Sequence, residues 1–100
     1  MMNLLKKTRE KLKYRSRTDI VSQILDAANG GSTKTRIMYK AYLSYAQLKE
    51  YLSILVENGL LELEEEQQKY RTTEKGTKFI KAYQHMDMLT GSMMETPVKK

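Results

Sequence analysis

One stretch, Ser32 to Leu61, limits what this chain can fold into: STKTRIMYKAYLSYAQLKEYLSILVENGLL. Its spacing predicts two helices joined by a tight turn, the first over about Lys34 to Ala41 and the second over about Tyr45 to Asn58. Ser44 stands where an N-cap is wanted and Gln47 follows three residues later, so hydroxyl and carboxamide can satisfy backbone N–H groups reciprocally. Asn58-Gly59 supplies a residue that reaches positive φ at low cost, which stops the second helix. Leu48, Leu52, Leu55 and Val56 fall on one face with Tyr51 beside them; Ala46, Lys49, Glu50, Ser53 and Glu57 fall opposite, and Gln47 lies on the flank of that outer face. A short helix, a turn and a capped helix with a small, polar outer face make the pattern of a helix-turn-helix.

The flanks extend the pattern. A preceding helix begins near Thr18, capped by Ser16 or Thr18, with Ile20, Val21, Ile24, Leu25 and Ala28 as its core face and Asn29-Gly30-Gly31 as its end. Ser32 or Thr33 caps the next helix, which turns Ile37, Met38 and Ala41 inward, and Leu43 plugs the turn. After Gly59 the period shortens: Leu60, Leu61 and Leu63, then a polar run, then Tyr70 to Thr72, where Tyr70 and Thr72 alternate with Arg71. This predicts a two-stranded hairpin. Thr73 caps a last helix from Glu74, with Phe79, Ile80, Tyr83 and Met86 at three-four spacing, ending by about residue 90 at Gly91. The expected fold is therefore α+β, mostly α: a winged helix-turn-helix of three helices, a two-stranded wing and a C-terminal helix. Residues 1–15 read as a basic arm, 16–73 as the domain, 74–90 as the C-terminal helix, and 91–100, which hold the one proline, as a disordered tail.

Charge placement indicates the partner. The formal net charge is +6. Lys6, Lys7, Arg9, Lys11, Lys13, Arg15 and Arg17 face Glu10 alone, and Lys34, Arg36, Lys40 and Lys49 face only Glu50. An acidic cluster of Glu57, Glu62, Glu64, Glu65 and Glu66 follows. A basic arm beside a basic helix pair is the footprint of a polyanion partner. There is no cysteine, so neither disulfides nor a Cys-based zinc site can form. A lone His85 and consecutive, diverging glutamates build no metal site, and no catalytic constellation or phosphate-cradling Gly loop is present. The opening MMNLLKKTREKLK is charged without an apolar h-region and apolar runs are short, so the expected address is cytoplasmic, with no membrane span.

Lys34, Thr35 and Arg36 begin the second helix and are expected to hold phosphates. Ser44, Tyr45, Gln47 and Lys49 begin the third, the part that enters a major groove, where Gln can read adenine and Lys can reach guanine or a phosphate. Lys69 and Arg71 are the wing's candidates for backbone contact, and Arg15 and Arg17 could enter a minor groove. Tyr39, Tyr42, Tyr51 and Tyr83 fit core-edge packing.

The run Thr33-Lys34-Thr35-Arg36-Ile37-Met38-Tyr39-Lys40-Ala41, followed by Leu43-Ser44-Tyr45, Leu48, Tyr51-Leu52, Leu55 and Gly59-Leu60, resembles a family of small archaeal winged-helix proteins. These are predicted transcriptional regulators and include the ten-kilodalton DNA-binding proteins of archaeal chromatin. Tyr70 and Thr72-Thr73 before Lys75-Gly76 resemble the family's end-of-wing pattern. The resemblance implies duplex DNA as partner, no cofactor, no small-molecule substrate, a nucleoid-associated location and a homodimer. The family's dimers pair through a long C-terminal helix, a role that here falls to Phe79, Ile80, Tyr83 and Met86. A last helix ending near Thr90 is shorter than the family's rod, and the Glu-rich wing also departs from the family. The competing functional reading is a protein–protein interaction module on the same scaffold, favoured by the acidic wing and an exposed Ile54. RNA binding through the arm is a third.

Overall fold

The structure, a computed structural model, describes residues 15–99, with side chains to residue 89. The expected basic arm, residues 1–15, therefore lies outside the described residues save Arg15. The order is α1 (Arg17–Ala27), β1 (Ser32–Thr33), α2 (Lys34–Lys40), α3 (Tyr45–Glu57), β2 (Leu61–Glu64), β3 (Lys69–Thr72) and α4 (Glu74–Lys99). Ser16 caps α1, its hydroxyl accepting from the Asp19 amide at 3.0 Å while Asp19 accepts from the Ser16 amide at 3.0 Å. Thr33 caps α2, accepting from the Arg36 amide at 3.3 Å. The expected box on α3 is closed, with Gln47 N–H to Ser44 Oγ at 3.2 Å and Ser44 N–H to Gln47 Oε1 at 3.1 Å.

Two helix ends share one motif with different residues. At the end of α3, the Gly59 amide donates to Val56 and the Leu60 amide to Leu55, with Gly59 at φ 76°. At the end of α2, Tyr42 donates to Tyr39 and Leu43 to Met38, and the left-handed position is Tyr42 itself, at φ 55°. Both are the paired 6→1 and 5→2 bonds that glycine usually completes. A Cβ in that conformation costs roughly 1 kcal/mol.

The core lies between α1, α2, α3 and the sheet: Ile24, Leu25, Ala28, Ile37, Ala41, Leu43, Leu48, Leu52, Leu55 and Leu61 are buried. Phe79 and Ile80 of α4 pack against it. The sheet has three antiparallel strands in the order β1-β3-β2, one more than expected. Ser32 pairs with Tyr70 and Thr33 with Lys69, a two-residue pairing too short to show a period in sequence. β2 and β3 form the wing in the register Leu61↔Thr72, Glu62↔Arg71, Leu63↔Tyr70 and Glu64↔Lys69. Thr72 locks the sheet to α1: its amide donates to Ala28 at 3.2 Å and its hydroxyl to Leu25.

Several expectations are corrected. Val56 is exposed, not part of the core face, because it points into the gap between α3 and the wing. Tyr39 and Tyr42 are not core-edge residues; each is 71% exposed. The last helix does not stop at Gly91 and residues 91–99 are not an irregular tail: α4 runs through Gly91 and Pro97 to Lys99. One glycine costs a helix interior only about 1 kcal/mol, too little to end it without a competing cap.

Candidate nucleic-acid interface

α3 stands with its outer face exposed. Ala46, Gln47, Lys49, Glu50, Ser53 and Ile54 line a shallow, open trough of ≈ 550 Å³. The burial of Leu48, Leu52 and Leu55 at helical spacing forces these residues outward. A second depression of ≈ 410 Å³ separates α3 from the wing, lined by Leu52, Val56, Leu63 and Tyr70, with Lys34, Tyr45 and Lys49 toward the start of α3 and Glu57 toward its end. Lys34 Nζ lies 5.5 Å from the centre of the Tyr45 ring, a cation–π contact that joins the first residues of α2 and α3.

The basic charge sits on α2 more than on α3. No Asp or Glu occurs between Asp26 and Glu50, while Lys34, Arg36, Lys40 and Lys49 do. α3 itself carries Lys49 against Glu50 and Glu57. Lys34, Thr35 and Arg36 are exposed, as are Ser44, Tyr45, Gln47 and Lys49; of these, Lys34, Tyr45 and Lys49 border one depression and Gln47 and Lys49 the other. Gln47 is only partly available: its carbonyl oxygen accepts from Ser44, and bidentate reading of adenine needs that oxygen as well as the amide.

The remaining candidates are drawn elsewhere. Arg15 closes the end of α2: its guanidinium donates to the Ala41 carbonyl at 2.6 Å, to the Tyr42 carbonyl at 2.9 Å and to Gln23 Oε1. These bonds tie Arg15 to α1 and to the helix-turn-helix turn. Nothing in sequence spacing marks it, although carbonyls at a helix end attract cations in general. Arg17 is exposed and borders Glu50, Tyr51 and Ile54, which places the start of α1 beside the flank of α3.

Arg71 is held within the wing. It donates to the Gly30 carbonyl at 3.1 Å and pairs with Glu64 at 3.2 Å. Strand alternation puts Lys69, Arg71, Glu62 and Glu64 on one face of the sheet and Leu61, Leu63, Tyr70 and Thr72 on the other. The wing's cations therefore stand among its carboxylates, on the side away from the trough beside α3. At its tip Glu65 to Gln68 form the turn, with Gln68 at φ 55° and its side-chain Nε2 donating to the Glu65 carbonyl at 2.8 Å.

Of the residues expected to pair two chains, three serve the protomer first. Phe79 and Ile80 are half-buried on the core, and the Tyr83 hydroxyl donates to Asp19 of α1. Met86 is exposed, as are Met88 and Leu89. His85 is exposed on α4. Among the described residues no cluster of three His, Cys, Asp or Glu side chains could hold a metal, and no helix is long and apolar enough to cross a membrane.

Comparison with known proteins agrees with the fold. The chain matches the winged helix-turn-helix family model over residues 14–91. The uncharacterized protein MJ0287 of Methanocaldococcus jannaschii is 34% identical over 73 residues, covering 72% of this chain and 73% of that protein. Among solved structures, that of Sso10a-2, described as a DNA-binding protein from Sulfolobus solfataricus, is similar at a TM-score of 0.76 and 26% identity, over 85% of this chain and 92% of its own. The family match spans α1, α2, α3, the wing and most of α4. The chain belongs to the winged helix-turn-helix family.

Proposed function

We propose that this chain binds duplex DNA, with α3 in the major groove and the cations of α2 on flanking phosphates. The observation that carries this is the outer face of α3, exposed over its whole length and bordered by an acid-free basic stretch. The described function of Sso10a-2 supports it. Lys34 and Arg36 are the phosphate anchors. Lys49 reaches bases or phosphate from α3, and Tyr45 is positioned by Lys34. The protein acts as a transcriptional regulator or chromatin-associated factor in the nucleoid, as a homodimer paired through α4, and carries out no catalysis.

Replacing Lys34 and Arg36 together by alanine should weaken duplex binding and lower the slope of log affinity against log salt by about 2, since each neutralised phosphate contributes about 0.9. Fluorescence anisotropy over a salt series measures both. Unchanged affinity and slope would remove these residues from the interface. The apolar floor between α3 and the wing, where Val56 and Leu63 are exposed, favours the competing reading of a protein-docking module. Failure to retard mixed genomic duplex at moderate salt would support it.

A further inference from the structure

We propose that the end of α2 and the turn after it form a stacking platform for unpaired nucleobases, so that the chain also takes single-stranded nucleic acid. Tyr39 lies on the outer face of α2, and Tyr42 follows one helical turn later, its amide bonded to the Tyr39 carbonyl at 3.3 Å. Both rings are 71% exposed, and Tyr45, which opens α3, is 53% exposed. Three aromatic rings at successive intervals of three residues thus border the helix-turn-helix turn without being needed for its core.

Tyr42 gives the independent observation. It occupies the left-handed position that closes α2, where glycine fits without cost, yet its side chain is not packed into the core. The backbone conformation is over-determined from outside: Arg15 holds the Tyr42 carbonyl at 2.9 Å and Leu43 is buried beside it. Strain retained at an exposed residue points to use of that side chain rather than to folding.

The surroundings select the occupant. Arg36 and Lys40 share the outer face of α2 with Tyr39 at helical spacing, and Lys34 lies at the other end of the same helix. With no carboxylate between Asp26 and Glu50, the local field attracts a phosphodiester backbone. Aromatic rings interleaved with cations suit successive unpaired bases, since every base offers a π-face while its phosphates seek the cations. A duplex keeps those faces stacked inside and cannot use the rings in this way. The inference does not depend on the duplex reading.

The test uses the full chain and an oligodeoxythymidine of about 16 nucleotides, the upper end of a single-strand footprint for a small domain. The matching oligouridine separates DNA from RNA, and a duplex of equal length is the comparison. The chain has no tryptophan, so emission comes from its seven tyrosines, and the part of the quenching lost in the tyrosine variants reports stacking on the platform. Expected is binding to the single strand with quenched emission. Tyr39→Ser and Tyr42→Gly should each weaken single-strand affinity about tenfold and leave duplex affinity within about twofold. Tyr39→Phe should retain binding, because the ring stacks without its hydroxyl.

Tyr42→Gly should raise the urea midpoint while it weakens binding, which separates loss of the platform from loss of the fold. Single-strand affinity indifferent to both tyrosine replacements would overturn the platform and assign that binding to the cations alone. Phenylalanine failing to rescue would assign the tyrosines to phosphate hydrogen bonding and overturn stacking. A wild-type chain that binds duplex but no single strand would overturn the platform and leave the duplex proposal standing.

Discussion

Asp19 shows how much one side chain can hold together. It closes the Ser16 capping box and accepts the Tyr83 hydroxyl from α4. The Tyr83 bond lowers its carboxyl below the ordinary value; the Ser16 bonds and the Arg15 charge act the same way, while burial opposes them. Tyr83 is pushed up to about 12, chiefly by that hydrogen bond, then by burial and by the charges of Asp19 and Asp87. A lowered carboxylate contributes stability above its unfolded value that is lost as pH falls through the folded one. A raised phenol contributes below its unfolded value near 10, and this is lost as pH rises toward about 12. Urea midpoints should therefore stay level through the neutral range and fall on both sides. Tyr83→Phe should cost about 0.5–1 kcal/mol at pH 7, since the pair is largely solvated, and should abolish the alkaline part of the fall. An unchanged alkaline limb in Tyr83→Phe would show that the tie contributes nothing.

At the scale of elements, α4 depends on how its first turn is seated. Thr73 Oγ1 accepts from the Gly76 amide at 3.1 Å and donates to the Gly59 carbonyl at 2.6 Å, and the Thr73 amide donates to Leu60 at 3.1 Å. This draws α4 so close to the chain leaving α3 that a Cβ on Gly76 would lie 2.4 Å from the Leu60 carbonyl oxygen and 2.6 Å from Thr72 Cγ2. Helix propensity alone says that Gly76→Ala should stabilise a helix by up to about 1 kcal/mol. The contact reverses the sign: Gly76→Ala should destabilise by about 1–3 kcal/mol, because a backbone oxygen cannot rotate away. Thermal unfolding decides between the two signs. The cap at Thr73 was legible as a threonine before an acidic first turn. The need for glycine was not, because its cause lies sixteen residues upstream at Leu60.

For the whole molecule, the extent of α4 alters what assembly can be proposed. At 26 residues the helix is about 39 Å long, rather than the short rod expected from Gly91. Phe79, Ile80 and Tyr83 are turned onto the protomer, so a seam between chains would begin at Met86 and Leu89, which lie one turn apart and are exposed. The proposed dimer should appear as twice the monomer mass by light scattering, and Met86→Glu with Leu89→Glu should halve it. A monomeric wild-type mass would dismiss the seam. A dimer should also place its α3 helices one duplex turn apart, about 34 Å, or a multiple of that.

The sequence by itself determined the helices, their caps, the wing and the order in which they follow. These rest on contacts within a few residues, such as Ser44 with Gln47 or Gly59 with Val56. Periodicity also named most of the core, but it misjudged Val56, Tyr39 and Tyr42, because a helical wheel cannot say which partner stands opposite. Only the tertiary structure decided that Arg15 binds carbonyls 26 and 27 residues away. The same holds for Arg71, whose guanidinium donates to the Gly30 carbonyl 41 residues away, and for a two-residue strand that takes Tyr70 and Lys69 as partners. Each of these is a polar group satisfied across a long sequence separation, and such pairings are set by where packing brings the elements, not by any local spacing.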